Sequence, residues 1–228
     1  INKIKSLISN RIIIVGNGDS GFYDVMNGSY MENFLEDAKY WPEKMRLYGL
    51  SAKNALDPTF AILGNTNSNN LNSNNYQKMR FGLSSSLLED GYYAFDAGSN
   101  THSETWWYDE YDVDLGEALG ESKSKNNYNT YQPDIWQRDF SNGTALVNST
   151  AGAKTVELGG DYEKIHGTQD PDTNDGSIIS ETVIDGYDGL ILLKSLSSLN
   201  DVIFRNGDFV RFLNADGASV RNGFFVFE

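Results

Sequence analysis

Three short apolar runs in the first hundred residues each end in polar loop formers, and helically spaced sequence lies between them. No other feature narrows the possible folds of this 228-residue chain as far. Arg11 to Val15 is β-branched and opens into Gly16-Asn17-Gly18-Asp19, Thr59 to Leu63 opens into Gly64-Asn65, and Gly91 to Phe95 ends in Asp96. A buried strand reads as such a run, bounded by turn residues. Between the first two runs, Phe34, Leu35, Ala38, Trp41, Met45 and Tyr48 lie near helical spacing, so Tyr30 to Tyr48 is predicted helical, with Pro42 interrupting it. Ser29-Tyr30-Met31 competes as a short strand that would put Glu32 at its end. Between the second and third runs, Met79, Leu83 and Leu87 share one face of a helix predicted over Tyr76 to Leu88. Strand, helix, strand in alternation is the pattern of right-handed βαβ units on a parallel sheet.

Beyond Pro133 the pattern changes. Trp136 to Phe140, Thr144 to Val147, Lys154 to Leu158, Ser177 to Ile184 and Gly189 to Leu193 are short strand candidates separated by turn residues. Asn206-Gly207 and Asn222-Gly223 are hairpin signals in the tail. The expected fold is therefore α/β followed by all-β. Residues 1–132 hold partial (β/α) barrel units, and residues 133–228 form an antiparallel β-sandwich-like domain with terminal hairpins.

The formal charge of −14 repels phosphate backbones and anionic lipid surfaces, so neither nucleic acid nor membrane is an expected partner. No apolar run approaches the roughly 20 residues a membrane-crossing helix needs. The absence of cysteine excludes disulfides, thiolate metal sites and a Cys nucleophile. His102 and His166 stand far apart without ligand spacing, and no metal or cofactor is expected. The run Asp170 to Gly176, with Glu181, has the alternating oxygens of a calcium loop, but its glycine falls one place late and a plain turn is the better reading. Asn27, Asn142 and Asn148 begin N-x-[ST] sequons, which chance also supplies in a chain rich in Asn, Ser and Thr.

In parallel α/β architectures, ligands and catalytic groups gather at the C-terminal ends of strands. Asn17, Asp19, Glu32, Asn65 and Asp96 occupy such ends. Glycoside hydrolysis needs two carboxyl groups flanking the bond, one protonated and one ionised, and Glu32, Asp96 and Asp19 are the candidates. The plainer alternative makes them helix caps and solvated loop acids. Residues 102–114 then interleave Trp106, Trp107, Tyr108 and Tyr111 with five acids, Asp109 among them. Such a stretch is too polar for a core strand and too aromatic for an ordinary loop. Sugar sites use this mixture, with ring faces on C–H faces and carboxylates accepting from hydroxyls. The competing reading is that a Trp plugs the sheet end while the acids are solvated.

Met79-Arg80-Phe81-Gly82-Leu83, Asp90 to Asp96, Thr105 to Tyr111 and Asp114-Leu115-Gly116 resemble the last barrel units of hypothetical glycosyl hydrolases, a group of (β/α)8-type proteins with a C-terminal β-domain. Trp136 to Asn148 resembles the opening of that β-domain, followed by Thr155 to Leu158, Asn174 to Ser177 and Asp188 to Leu192. Met31-Glu32-Asn33-Phe34 is similar to an acid-Asn pair at a strand end of the group. The resemblance spans about residues 11–193 and implies a glycoside hydrolase acting on an extracellular or cell-surface polysaccharide. A complete barrel needs eight strands and about 250 residues, whereas three or four units fit before residue 133. The expectation is that this is the C-terminal portion of a longer enzyme, its half-barrel covered by a preceding segment or a partner chain. Two other functions stay open. One is a non-catalytic, self-assembling surface protein built on the same fold; the other is a lectin-like binder using the same aromatics.

Overall fold

A computed structural model describes residues 11–16, 22–66, 75–96 and 106–195, together with the backbone of 212–213 and 219–220. Strands β1 (Ile14–Gly16), β2 (Gly28–Met31), β3 (Phe60–Thr66) and β4 (Tyr92–Asp96) form a parallel sheet in the unbroken order β1-β2-β3-β4. The register sets Ile14 beside Gly28, Met31 beside Leu63, and Thr66 beside Asp96. Helix α1 (Trp41–Asn54) connects β2 to β3, and α2 (Tyr76–Ser86) lies between β3 and β4. Both helices cover the same face of the sheet: Trp41, Met45, Tyr48 and Phe81 share a core with Met31, Ala61 and Leu63. The opposite face carries Ile14, Tyr30 and Tyr92, all exposed.

Two local readings are corrected. Residues 30–31 belong to β2, and the chain turns at Asn33, whose φ of 53° lies in the left-handed region that no helix tolerates. Pro42 does not interrupt a helix but sits in the first turn of α1, where a missing N–H costs nothing. The helix then runs past Tyr48 to Asn54.

A second sheet follows, antiparallel, with six strands in the order β5-β6-β7-β10-β8-β9. These are β5 (Lys123–Ser124), β6 (Ile135–Asp139), β7 (Gly143–Asn148), β8 (Lys154–Lys164), β9 (Ile178–Ile184) and β10 (Asp188–Lys194). β5 lies ahead of the expected boundary at 133. Among the described residues these six strands form one hydrogen-bonded sheet, and α2 packs on the face of β10 that carries Gly189. Gly189 permits the contact: a Cβ there would lie 2.5 Å from the Arg80 carbonyl oxygen and from Ser84 Cβ. Trp136 and Val147, from β6 and β7, therefore join the core cluster of the parallel sheet. Leu146, Leu190 and Leu192 pack on the other face with Val156, Ile184, Leu158 and Tyr162.

In the tail, β11 (Phe212–Leu213) pairs antiparallel with β12 (Ser219–Val220). The two Asn-Gly hairpin signals lie outside the described residues. Two sequon asparagines have structural work. Asn27 is buried, accepts from the Ile13 amide (3.1 Å) and donates to the Asp57 carbonyl (3.1 Å). Asn148, wholly buried, donates to the carbonyls of Gly152 (2.8 Å) and Ile184 (2.9 Å).

Candidate functional site

The C-terminal ends of β2, β3 and β4 form one rim, and three of the expected residues stand on it. Glu32 follows β2 and is exposed, Asn65 is the penultimate residue of β3 and buried, and Asp96 closes β4 half-buried. Asn65 Oδ1 accepts from the Leu35 amide (3.0 Å), which fixes the loop carrying Glu32 against β3. Its Nδ2 is buried with no hydrogen-bond partner in the structure. A buried amide donor without an acceptor is costly unless a ligand or water completes it. Asn17 and Asp19 lie outside the described residues.

A clamp that the sequence did not announce holds the same rim. The Glu36 carboxylate accepts from the Thr66 amide (2.9 Å) and pairs with Lys78, whose Nζ also donates to the Thr66 carbonyl (2.7 Å). The three residues come from the β2–α1 loop, the end of β3 and the first turn of α2. The Lys78 and Glu36 side chains are only about one-fifth to one-quarter exposed (19% and 24%), so the pair is stiffer than a surface ion pair.

The aromatic segment reaches this rim through a relay of rings. Phe95, next to Asp96, packs edge-on against Tyr108 at 5.7 Å. Tyr108 packs against Tyr111 (5.6 Å), and Tyr111 against Trp107 (5.4 Å). Tyr108 is wholly buried, and burial drives its phenol pKa up; that of Tyr111 is pushed up to about 12 for the same reason. Both hydroxyls stay neutral near pH 7. Trp107 remains 64% exposed, its Nε1 held by Asp112 Oδ1 (2.9 Å), and Trp106 is also exposed. A ring fixed at its polar edge while its face meets solvent is a platform for an amphipathic ligand.

The antiparallel module holds this segment in place. Asp109 Oδ2 accepts from the amides of Thr168 (2.6 Å) and Gln169 (3.0 Å), and Gln169 Nε2 donates to the Trp107 carbonyl (2.7 Å). Beneath it, Asn174 Nδ2 donates to Glu110 Oε1 (2.8 Å). Burial raises the Glu110 pKa above the usual carboxylate value. Arg80 of α2 forks onto Asp188 of β10 (3.1 and 2.8 Å) and pairs with Asp170. Burial alone would lower the guanidinium pKa; the hydrogen bond to Asp188 together with the charges of Asp188, Asp170 and Glu110 outweighs it, and the charge is held. Asp170 thus serves an ion pair, and Glu181 stands on β9 opposite Glu157, so the calcium-like run forms a turn. His166 bonds Glu163 (2.9 Å). Among the described residues no cluster of three His, Asp or Glu is placed to hold a metal.

Compared with known families, residues 1–144 match the sequence profile described as hypothetical glycosyl hydrolase family 15. No curated protein matches the chain.

Proposed function

Since the chain belongs to the hypothetical glycosyl hydrolase family 15, we propose that it is the carbohydrate-handling portion of a glycoside hydrolase acting on an extracellular polysaccharide. The observation that carries this reading is the shared rim, where adjacent parallel strands end in Glu32, Asn65 and Asp96 and the Asn65 amide lacks a partner. Glu32 and Asp96 stand two strands apart, roughly 10 Å across the sheet. Their side chains can close that gap to the carboxyl separations of retaining or inverting hydrolysis. In this reading the pair supplies the proton donor and the ionised carboxylate, Asn65 donates to a sugar hydroxyl, and Trp106 and Trp107 stack on sugar faces.

Consecutive parallel strands with helices on one face only are the units of a (β/α) barrel. The exposed face with Ile14, Tyr30 and Tyr92 is then the barrel interior, and further units, from a longer chain or a partner, complete it. The test is release of reducing ends from a polysaccharide panel by the full-length protein. Glu32→Gln and Asp96→Asn should each cut the rate about 10²- to 10⁴-fold while the circular dichroism stays unchanged. Variants that hydrolyse as fast as the parent would end the reading.

The uncovered face also favours a second function, a non-catalytic surface protein that self-assembles through it. Concentration-dependent polymers in light scattering, with no hydrolysis from the full-length protein, would select that alternative.

A further inference from the structure

A cavity of about 540 Å³ lies far from the rim, between the end of α1, the turn before β4 and the loop around β5. We infer that it is a second saccharide-binding site, taking a neutral oligosaccharide segment, separate from the hydrolytic rim. The proposal rests on the reading of the chain as carbohydrate-handling. Leu88, Glu89 and Asp90 reach the cavity from the N-terminal end of β4, whereas Asp96 closes the other end of that strand. The five residues of β4 separate the two places by roughly 16 Å, so one sugar ring cannot occupy both.

The lining argues for ligand class. It carries three acids, Glu89, Asp90 and Glu121, and three bases, Lys53, Lys123 and Arg138, so it has no net charge to offer an ionic ligand. Two of each are already matched: Arg138 with Asp90 at 2.8 Å and Lys53 with Glu121 at 4.0 Å. Tyr131 donates to Glu89 (2.9 Å) and shares a hydrogen bond with Ser122 (3.1 Å). A polyhydroxylated ligand can both donate to and accept from such a set without breaking an ion pair.

The aromatic floor supplies the other half of sugar recognition. Tyr131 packs on Trp136 at 4.6 Å and edge-on to Trp41 at 5.4 Å, which locks its ring. Tyr128 stands at the mouth with 39% of its surface exposed. The volume falls within the ~300–1,000 Å³ of small-ligand sites.

The test is calorimetric titration of the full-chain Glu32→Gln protein with neutral malto-, cello-, xylo- and chito-oligosaccharides. At least one should bind, and Tyr128→Ala in the same background should weaken binding about tenfold or remove one bound equivalent. Asn129→Trp, which fills the mouth from an exposed position, should do the same. Absence of binding across the panel, or titrations unchanged in both variants, overturns the proposal. Hydrolysis is read separately: a Glu32→Gln protein as active as the parent ends the hydrolase reading and leaves the titration result standing.

Discussion

Glu110 and Asn174 show how a buried pair sets pH behaviour. Asn174 Oδ1 is buried without a partner, while its amide nitrogen donates to Glu110. A protonated Glu110 has the O–H that Asn174 Oδ1 lacks, so the protonated form can close a two-bond ring. Desolvation raises the folded-state pKa above 4.5. The folded protein therefore binds this proton more tightly than the unfolded chain does. The stability it contributes is complete below about pH 4.5 and is lost as pH rises through the folded value. Glu110→Gln supplies a permanent donor there; urea melts should show it about 1 kcal/mol more stable than the parent at pH 7, with the gap closing toward pH 4. Arg80→Met should behave oppositely. It leaves Asp188 buried without its cation and should lower the unfolding free energy by about 3–5 kcal/mol. These two centres were hidden in the sequence because Arg80 meets Asp188 across 108 positions and Asn174 meets Glu110 across 64. The positions of Glu32, Asn65 and Asp96 were legible for a local reason, since each lies at the end of a short strand-like run, and the Trp pair stood out as rings interleaved with acids.

At the scale of elements, strands were easier to read than the first helix. The apolar runs at β3 and β4, and the strands β6, β7, β9 and β10, stand close to their expected positions, while β8 starts where expected at Lys154 but runs past Leu158 to Lys164. Hydrophobic period alone could not separate β2 from the helix after it, since Met31, Phe34 and Leu35 all face the core. The left-handed Asn33 and the Pro42 start decide that boundary, and both act through backbone geometry. The covering of the second sheet by α2 was invisible for another reason: it depends on the close approach at Gly189. Gly189→Ala should push α2 off β10 and cost about 1–3 kcal/mol in chemical denaturation. Gly160→Ala in β8, where a Cβ meets nothing within 4 Å, should stay within about 0.5 kcal/mol.

Taken whole, the molecule joins its two sheets through a common interior. Trp136 and Val147 lie in the cluster that also holds Met31, Trp41 and Phe81, and the buried Arg80–Asp188 pair crosses the same junction. Thermal unfolding should accordingly be a single transition, with tryptophan fluorescence and far-ultraviolet circular dichroism giving coincident curves. Residues 1–132 expressed alone should lack that transition, because the partners of α2 are gone. Separate midpoints for the two probes would show that the sheets melt independently.

The order β1-β2-β3-β4, with both helices on one side, has a consequence for how molecules enter. Sheets whose connections diverge to opposite sides open a crevice between neighbouring strand tips, and ligands slip in there. Among the described strands no such parting exists. A ligand arriving at this edge meets the tips of β2, β3 and β4 together. Discrimination between guests then falls to the segments standing above those tips, which can change without disturbing the scaffold below.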